Sequence, residues 1–281
     1  MKLLQGKEIA EKIKGELKKE IEGFKNKPCL ASICVGQDAG SGVYVKSQKK
    51  TAEALGIEYK LLDLEASISQ DELIAKVEEL NKDNAVSGII IQMPLPKGIN
   101  AKEVINRISP LKDAEGMHPQ NLGNVLLAKE EIVPCTALAA MMLIESTGEK
   151  LYGKEAVVVG HSEIVGKPMS LLLLNRFVTV SVCHIATGER GDVPDFVKDA
   201  EILVVAVGKA GLIKGEWIKE GAIVIDVGIN RVGDKIVGDV GFEEASKRAA
   251  YITPVPGGVG PLTVTMLMRN TVEAFKIQNE T

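Results

Sequence analysis

Apolar positions recur along the chain at two periods, and their alternation predicts the elements. In residues 7–24, Ile9, Ile13, Leu17 and Ile21 stand four apart and lay one apolar stripe on an amphipathic helix. Leu30–Val35 is a continuous apolar run, read as a buried strand ending at Gly36. A glycine-bearing loop that includes Asp38 follows, then a helix over about 42–55, with Ser41 as its N-cap and Gly56 as its stop. Residues 57–63 alternate as a strand. Ser69–Leu80 puts Leu73, Val77 and Leu80 on one helical side, and Val86–Gln92 is a second apolar strand. A short helix near Ala101–Ile108 leads into residues 109–134, read as one long loop, and Thr136–Glu145 returns to helix.

The second half repeats the theme, with strands at Val178–Cys183, Ile202–Val207 and Ala222–Val227. A helix falls near Val193–Asp199, and a last helix over Leu262–Ile277. β-then-α order predicts parallel sheets, and the central loop marks a domain boundary. Within this half, Ala156–Leu174 reads as a β-branched strand, a turn at Gly160, then Ser162, Gly166 and a helix beginning around Pro168. Free N–H groups and the helix dipole at such a turn make an anion site. Its G-x-S-x-x-x-G spacing departs from the usual dinucleotide fingerprint. On its own the stretch fits either a dinucleotide site or a ligand-free βα turn.

Composition narrows the classes. At 281 residues, with 45% hydrophobic and 26% charged positions, the chain is a globular protein of one large or two ordinary domains. A formal charge of −4 and the lack of a basic block argue against a nucleic-acid partner. The early charges rule against a signal peptide, and no apolar run is long enough for a membrane span. Cys29, Cys34, Cys135 and Cys183 form no CxxC pair, so neither a disulfide framework nor a metal site is expected, and a cytoplasmic setting is.

Thr253–Asn270 is too rich in glycine and proline for a generic turn: Gly257, Gly258 and Gly260 let a planar ligand approach backbone, and Pro254, Pro256 and Pro261 stiffen it. Taken with VGQDAGSGVYVKSQKKTAEALGI, GIIIQMPLPKGI, KDAEG, PCT, VVVGHSEIVGKPMSLLL, TVSVCH, DVGIN and GDV, it completes a series whose order is specific. By these segments the chain resembles the methylenetetrahydrofolate dehydrogenase/methenyltetrahydrofolate cyclohydrolase family over nearly its whole length. The resemblance implies a two-domain α/β fold. An N-terminal α/β folate-binding domain spans 1–139, with helix 262–281 packing back on it, and a Rossmann-like parallel-sheet cofactor domain spans 140–261. It also implies folate in a cleft between the domains and a homodimer formed through the cofactor domains. The implied reactions are hydride transfer from the folate's methylene bridge to a nicotinamide, then addition of water to give 10-formyltetrahydrofolate.

Site residues carry over by position. Tyr44 falls on the tyrosine that stacks on folate. The family lysine four residues later is Gln48 here, and Gln92 matches the glutamine that partners that lysine. A Gln92–Gln48 hydrogen bond is a feasible replacement. Lys46, Lys49 and Lys50 point to other faces of the helix. Glutamine cannot exchange a proton near neutral pH, so oxidation is expected to persist while cyclohydrolase activity is weakened or absent. Alternatively Glu115, standing where the family has aspartate, supplies the proton function. Asp113, Glu115, Pro256, Gly257 and Gly258 are the further substrate-binding positions, although Asp113 could equally be a loop or capping carboxylate.

For the cofactor the family pattern implies Gly160, His161, Ser162, Ile164, Val165 and Gly166, then His184, Ile185, Val207, Gly228 and Ile229. His161 replaces the arginine of NADP-using relatives, and Ile185-Ala186 replaces a serine–cation pair, so NAD is favoured over NADP. Against this, no acidic residue ends the second strand to hold a ribose hydroxyl. His118 and Arg269 read as structural or surface residues, and Cys135 as packing. Two other functions compete: a non-catalytic folate- or nucleotide-binding protein, and a dehydrogenase of a small hydroxy or amino acid.

Overall fold

The stripe predicted for the first helix is buried at Ile13, Leu17 and Ile21 in a computed structural model that describes residues 1–36 and 39–279, without the side chains at 39–41 and 43. Asp38 lies outside the described residues. A two-residue strand β1 (Lys2–Leu3) precedes α1 (Gly6–Glu22), β2 (Cys29–Val35), α2 (Ala39–Leu55), β3 (Glu58–Leu64), α3 (Gln70–Lys82) and β4 (Gly88–Ile91). Helix α2 starts before Ser41, so that residue sits inside the helix and not at its cap. Ser69 does cap α3, in a reciprocal capping box with Glu72. Helix α4 (Ala101–Ile105) follows, and the segment read as one long loop contains a further helix, α5 (Pro119–Leu126). His118 caps α5, its Nδ1 accepting from the Gln120 N–H at 3.1 Å, with proline at the first helical position. That cap, and not periodicity, is the signal the loop reading lacked.

After α6 (Cys135–Glu145) come β5 (Glu155–Val159), α7 (Gly166–Leu174), β6 (Thr179–Cys183), α8 (Ile185–Glu189), α9 (Val193–Val197), β7 (Ile202–Val205) and β8 (Ile223–Asp226). A hairpin of β9 (Asn230–Val232) and β10 (Lys235–Val237), then α10 (Phe242–Arg248), β11 (Tyr251–Ile252) and α11 (Val259–Asn279), complete the chain. The hairpin, α8 and α10 are too short and polar for periodicity to reveal.

The chain divides into two compact units, each discontinuous in sequence: Met1–Glu11 with Thr136–Thr263, and Lys12–Cys135 with Val264–Thr281. In the second, a parallel sheet runs in the order β3-β2-β4. The register pairs Leu30 with Tyr59 and Ser32 with Ile90. Strand alternation therefore sorts the sheet into two faces. Ala31, Ile33, Ile89 and Ile91 pack with Leu73 and Val77 of α3, while Ser32, Tyr59 and Gln92 share the opposite face. The last helix is tied into this unit by Asn270, whose Nδ2 donates to the carbonyls of Ala114 (3.0 Å) and Val133 (2.7 Å). Arg269, read from sequence as a surface residue, donates to the carbonyls of Glu131 and Glu130 at 3.0 and 3.4 Å.

In the first unit six parallel strands run β1-β11-β8-β7-β5-β6. The chain leaves β5 to one side for β6 and returns to its other side for β7. The carboxyl ends of β5 and β7 therefore flank a topological switch point, where ligands bind in open α/β sheets.

Candidate active site

Four elements of the folded unit 12–135/264–281 converge on one polar cluster. Gln48, on α2 and four residues after Tyr44, is only 4% exposed, and it shares Tyr44's side of the helix. Its Oε1 accepts from Gln92 Nε2 at 2.8 Å and from the Tyr59 hydroxyl at 3.0 Å. Gln92, just past β4, gives its other Nε2 hydrogen to Ser32 Oγ at 2.9 Å. The Gln92–Gln48 bond expected from sequence is present. Tyr59 is the member that sequence reasoning missed, and its signal was alternation, which sets it on the same sheet face as Ser32 and Gln92. Burial raises the Tyr59 phenol above its ordinary range, so it remains a donor. Tyr44 itself is 45% exposed, an unusual state for a large aromatic. Lys46, Lys49 and Lys50 are exposed, and Lys49 pairs with Glu53 at 3.9 Å.

The KDAEG segment lies against the same sheet, with Asp113 bridging to Ile89 in parallel register, which carries Glu115 to the level of Ile91. Asp113 is buried and engaged in holding its own loop. Its Oδ1 accepts from the Gly116 N–H (3.0 Å), and its Oδ2 accepts from the His118 N–H (2.7 Å) and from Asn121 Nδ2 (2.9 Å). Of the two roles open to it from sequence, the loop carboxylate is the one these bonds describe. Glu115 is partly exposed. Burial of the carboxyl, and then the neighbouring Asp113, push it up to about 7, so it can exchange a proton near neutrality. Cys135 is buried, donates to the Ala114 carbonyl at 3.4 Å, and is pushed far above the usual thiol range by burial. It packs and does not react.

The phosphate turn sits in the unit 1–11/136–263. Gly160 has φ +122°, and a β-carbon there would collide with the Ala206 carbonyl, so only glycine makes this turn. Ser162 Oγ accepts from the Val165 N–H at 3.2 Å, at the start of α7. Beside the turn is a cleft of about 670 Å³. It gathers Gly160, His161, Ser162, His184, Ile185 and Val207. Ile164, Val165, Gly166, Gly228 and Ile229 do not line it. Ile185 (75%) and Ile229 (58%) are exposed aliphatics, apolar surface of the kind a planar ligand covers. Lys209 and Glu189 also line the cleft, and the sequence pattern gave no sign of either. His161 and His184 stand with ring centroids 5.4 Å apart.

A buried carboxylate pair holds the loops beside this cleft. Asp239 accepts from the N–H groups of Val207, Gly208 and Lys209 at 2.8, 2.9 and 2.8 Å, and from Asn230 Nδ2 at 2.8 Å. Asp226 accepts from the N–H groups of Gly228, Asp239 and Val240 at 3.0, 3.0 and 2.9 Å. Burial pushes Asp226 up to about 6 despite those bonds. Gly228 thus has a packing role, because a β-carbon there would strike the Asp239 carboxylate. In the glycine loop, Gly258 is buried, and a β-carbon would meet the Thr253 side chain and the Pro254 carbonyl. Its missing side chain is therefore required by backbone packing. Gly257 (φ +112°) and the exposed Pro256 keep an open side.

Residues 4–115 match the family model for the tetrahydrofolate dehydrogenase/cyclohydrolase catalytic domain, and residues 134–279 match that for its NAD(P)-binding domain. The bifunctional protein FolD of Acetivibrio thermocellus is 52% identical over 281 residues, 99% of this chain and 98% of that protein. The crystal structure of the bifunctional methylenetetrahydrofolate dehydrogenase/cyclohydrolase FolD of Campylobacter jejuni superposes with a TM-score of 0.95 at 46% identity, covering 99% of both chains. The Trypanosoma brucei enzyme, solved with NADP and an inhibitor, gives 0.94 at 40% identity over 99% of this chain and 98% of that one. At these identities, and with both family models matched in order, the chain belongs to the tetrahydrofolate dehydrogenase/cyclohydrolase family.

Proposed function

We propose that the chain oxidises 5,10-methylenetetrahydrofolate with NAD in preference to NADP, and that it hydrolyses the 5,10-methenyl product more slowly than it forms it. Use of NAD(P) and action on reduced folates in one-carbon metabolism come with family membership; the balance of steps and the choice of nicotinamide are this chain's own. In this reading residues 1–139 with 262–281 serve folate and 140–261 serve the cofactor. Tyr44 stacks on the folate. Gln48, Gln92 and Glu115 supply its polar contacts, Asp113 holds the loop that carries Glu115, and Pro256–Gly258 line the ligand. NAD(P), when bound, supplies the hydride acceptor. The turn from Gly160 to Gly166 takes its phosphates, and His184, Ile185, Val207, Gly228 and Ile229 position the rest.

One observation carries the reading: the cluster at Gln48 consists of neutral hydrogen-bonding groups. Loss of hydride leaves a cation on the N–C–N bridge of the folate, and amides at 48 and 92 do not repel it as an ammonium would. Oxidation needs the reacting carbons held in attack geometry, which stacking and neutral donors supply. Hydrolysis needs a proton moved, and neither amide moves one. Cofactor preference follows from His161 and Ile185-Ala186, which replace groups able to grip a 2′-phosphate, at roughly 1.5–3 kcal/mol for each charged hydrogen bond lost. Glu189 on the cleft wall opposes that phosphate, and among the described residues Lys209 is the one lysine or arginine lining the cleft.

A second reading rests on Glu115: a carboxyl pushed up to about 7 beside the sheet end takes over the proton transfer and keeps hydrolysis brisk. Incubation of the purified protein with methylenetetrahydrofolate and either nicotinamide, scoring methenyl and formyl products separately, decides among these. Accumulated methenyl product with faster NAD turnover is expected. Formyl product formed in step with hydride transfer favours Glu115, faster NADP turnover removes the cofactor preference, and no absorbance change at all leaves a binding protein. Dimerisation through the cofactor domain and a cytoplasmic setting belong to the same proposal.

A further inference from the structure

Tyr59 lies two residues beyond the matching segment that ends at Ile57, so the family pattern gives it no task. Its position does. Gln48 Oε1 receives two donors, the Tyr59 hydroxyl at 3.0 Å and Gln92 Nε2 at 2.8 Å, and a carboxylamide oxygen has two lone pairs to offer. With Oε1 turned into the cluster, Nε2 points away from it. Among the described residues Gln48 Nε2 has no acceptor, and no unpartnered side-chain nitrogen or oxygen is fully buried. The Nε2 group therefore reaches solvent although the residue as a whole is 4% exposed, and it does so on the helix side that carries Tyr44.

We propose that Tyr59 is a positioning residue for the oxidation: it fixes the Gln48 carboxamide with its N–H group outward, as a standing neutral donor to the nitrogen- and oxygen-bearing edge of a folate stacked on Tyr44. The inference rests on the folate reading above. Without the phenol, Oε1 keeps a single partner and the amide gains the freedom to turn its oxygen outward, toward ligand acceptors it cannot serve. Burial holds the phenol protonated, so the arrangement does not depend on pH in the neutral range.

The test is a double-mutant cycle on the full-length enzyme, read as oxidation of methylenetetrahydrofolate with NAD. Tyr59→Phe should lower kcat/KM for the folate about three- to tenfold, the scale of one hydrogen bond, with the KM for NAD unchanged. In a Gln48→Ala background the same Tyr59→Phe change should have no further effect, since Tyr59 acts only through that amide. Gln48→Glu is the second probe: its carboxylate still accepts from both donors but offers none outward, so the folate KM should rise at least about tenfold, beyond the loss of a single neutral bond. Thermal midpoints of each variant confirm that it folds. A silent Tyr59→Phe, an equal loss with and without Gln48, or a wild-type folate KM in Gln48→Glu each overturns the inference. If the unmodified enzyme itself fails to oxidise the folate, it is the functional reading that falls.

Discussion

Each unit buries a polar cluster beside its candidate site, and these two are built on opposite plans. In the unit 1–11/136–263, Asp226 and Asp239 are carboxylates whose oxygens are taken up by backbone N–H donors of neighbouring loops and by Asn230. In the unit 12–135/264–281, Gln48 and Gln92 are neutral amides that bond to each other, to Tyr59 and to Ser32, and among the described residues a donor is left on one and an acceptor on the other. A carboxylate pair whose four oxygens all accept from the protein is committed to shaping backbone. A half-saturated amide pair is rigid yet unfinished, which is the state expected of groups awaiting a substrate.

The comparison breaks most visibly at Asp239. Asp239→Ala would strand the N–H groups of Val207, Gly208 and Lys209 and the Asn230 amide together, and removal of such a buried hub costs about 3–5 kcal/mol. A urea titration should show a large fall in midpoint, and NAD binding should weaken with it, because Val207 lies on the cleft wall. Asp239→Asn, which keeps one acceptor oxygen, should fall between. A midpoint unchanged by Asp239→Ala would mean that the loops hold themselves.

Gln48→Lys attacks the other side. It supplies a proton-exchanging group in the neutral cluster, and general acid–base assistance is worth about 10²–10⁴ in rate. Hydrolysis of methenyltetrahydrofolate should rise by about 10²-fold at least, while oxidation gains little or slows, since the ammonium opposes the cation that hydride loss creates. No gain in hydrolysis would show that the missing lysine was not the bottleneck.

How far the residues announced all this differs between the two clusters. The apolar stripes at Leu73/Val77 and along β5, β7 and β8 located their elements because burial forces a period on the sequence. Gln48 was legible as a departure from the family pattern, and its bond to Gln92 was expected because Gln92 matches the glutamine that partners the family lysine. Tyr59 was not singled out, because a tyrosine in an alternating strand says nothing until the register sets it beside Leu30. The Asp226/Asp239 pair was equally silent. Its partners are backbone N–H groups of loops up to 32 residues away in sequence, and no side-chain spacing encodes them. Helix α5 escaped for a related reason: its cap is a histidine, outside the usual capping residues.

Glu115 is an ionisable group in the same unit as the neutral cluster, and it yields the smallest and sharpest effect. Its carboxyl is raised from 4.5 to about 7 in the folded protein, so the fold binds that proton more tightly than the unfolded chain does. The stability this lends is fully present below about pH 4.5 and is lost as pH rises through about 7. Since the side chain is partly exposed, the change amounts to about 1–2 kcal/mol, less than the full shift would give. Glu115→Gln removes it. Denaturant titrations at pH 4.5 and 8 should therefore show wild type losing about 1–2 kcal/mol more than the variant across that span. Asp226, raised to about 6, tilts both proteins alike and cancels in the difference. If Glu115 also carries the residual proton transfer, the pH–rate profile of hydrolysis should lose its inflection near 7 in the variant, while oxidation keeps its profile. Parallel stability curves in the two proteins would place Glu115 in water, unable to stand in for a lysine.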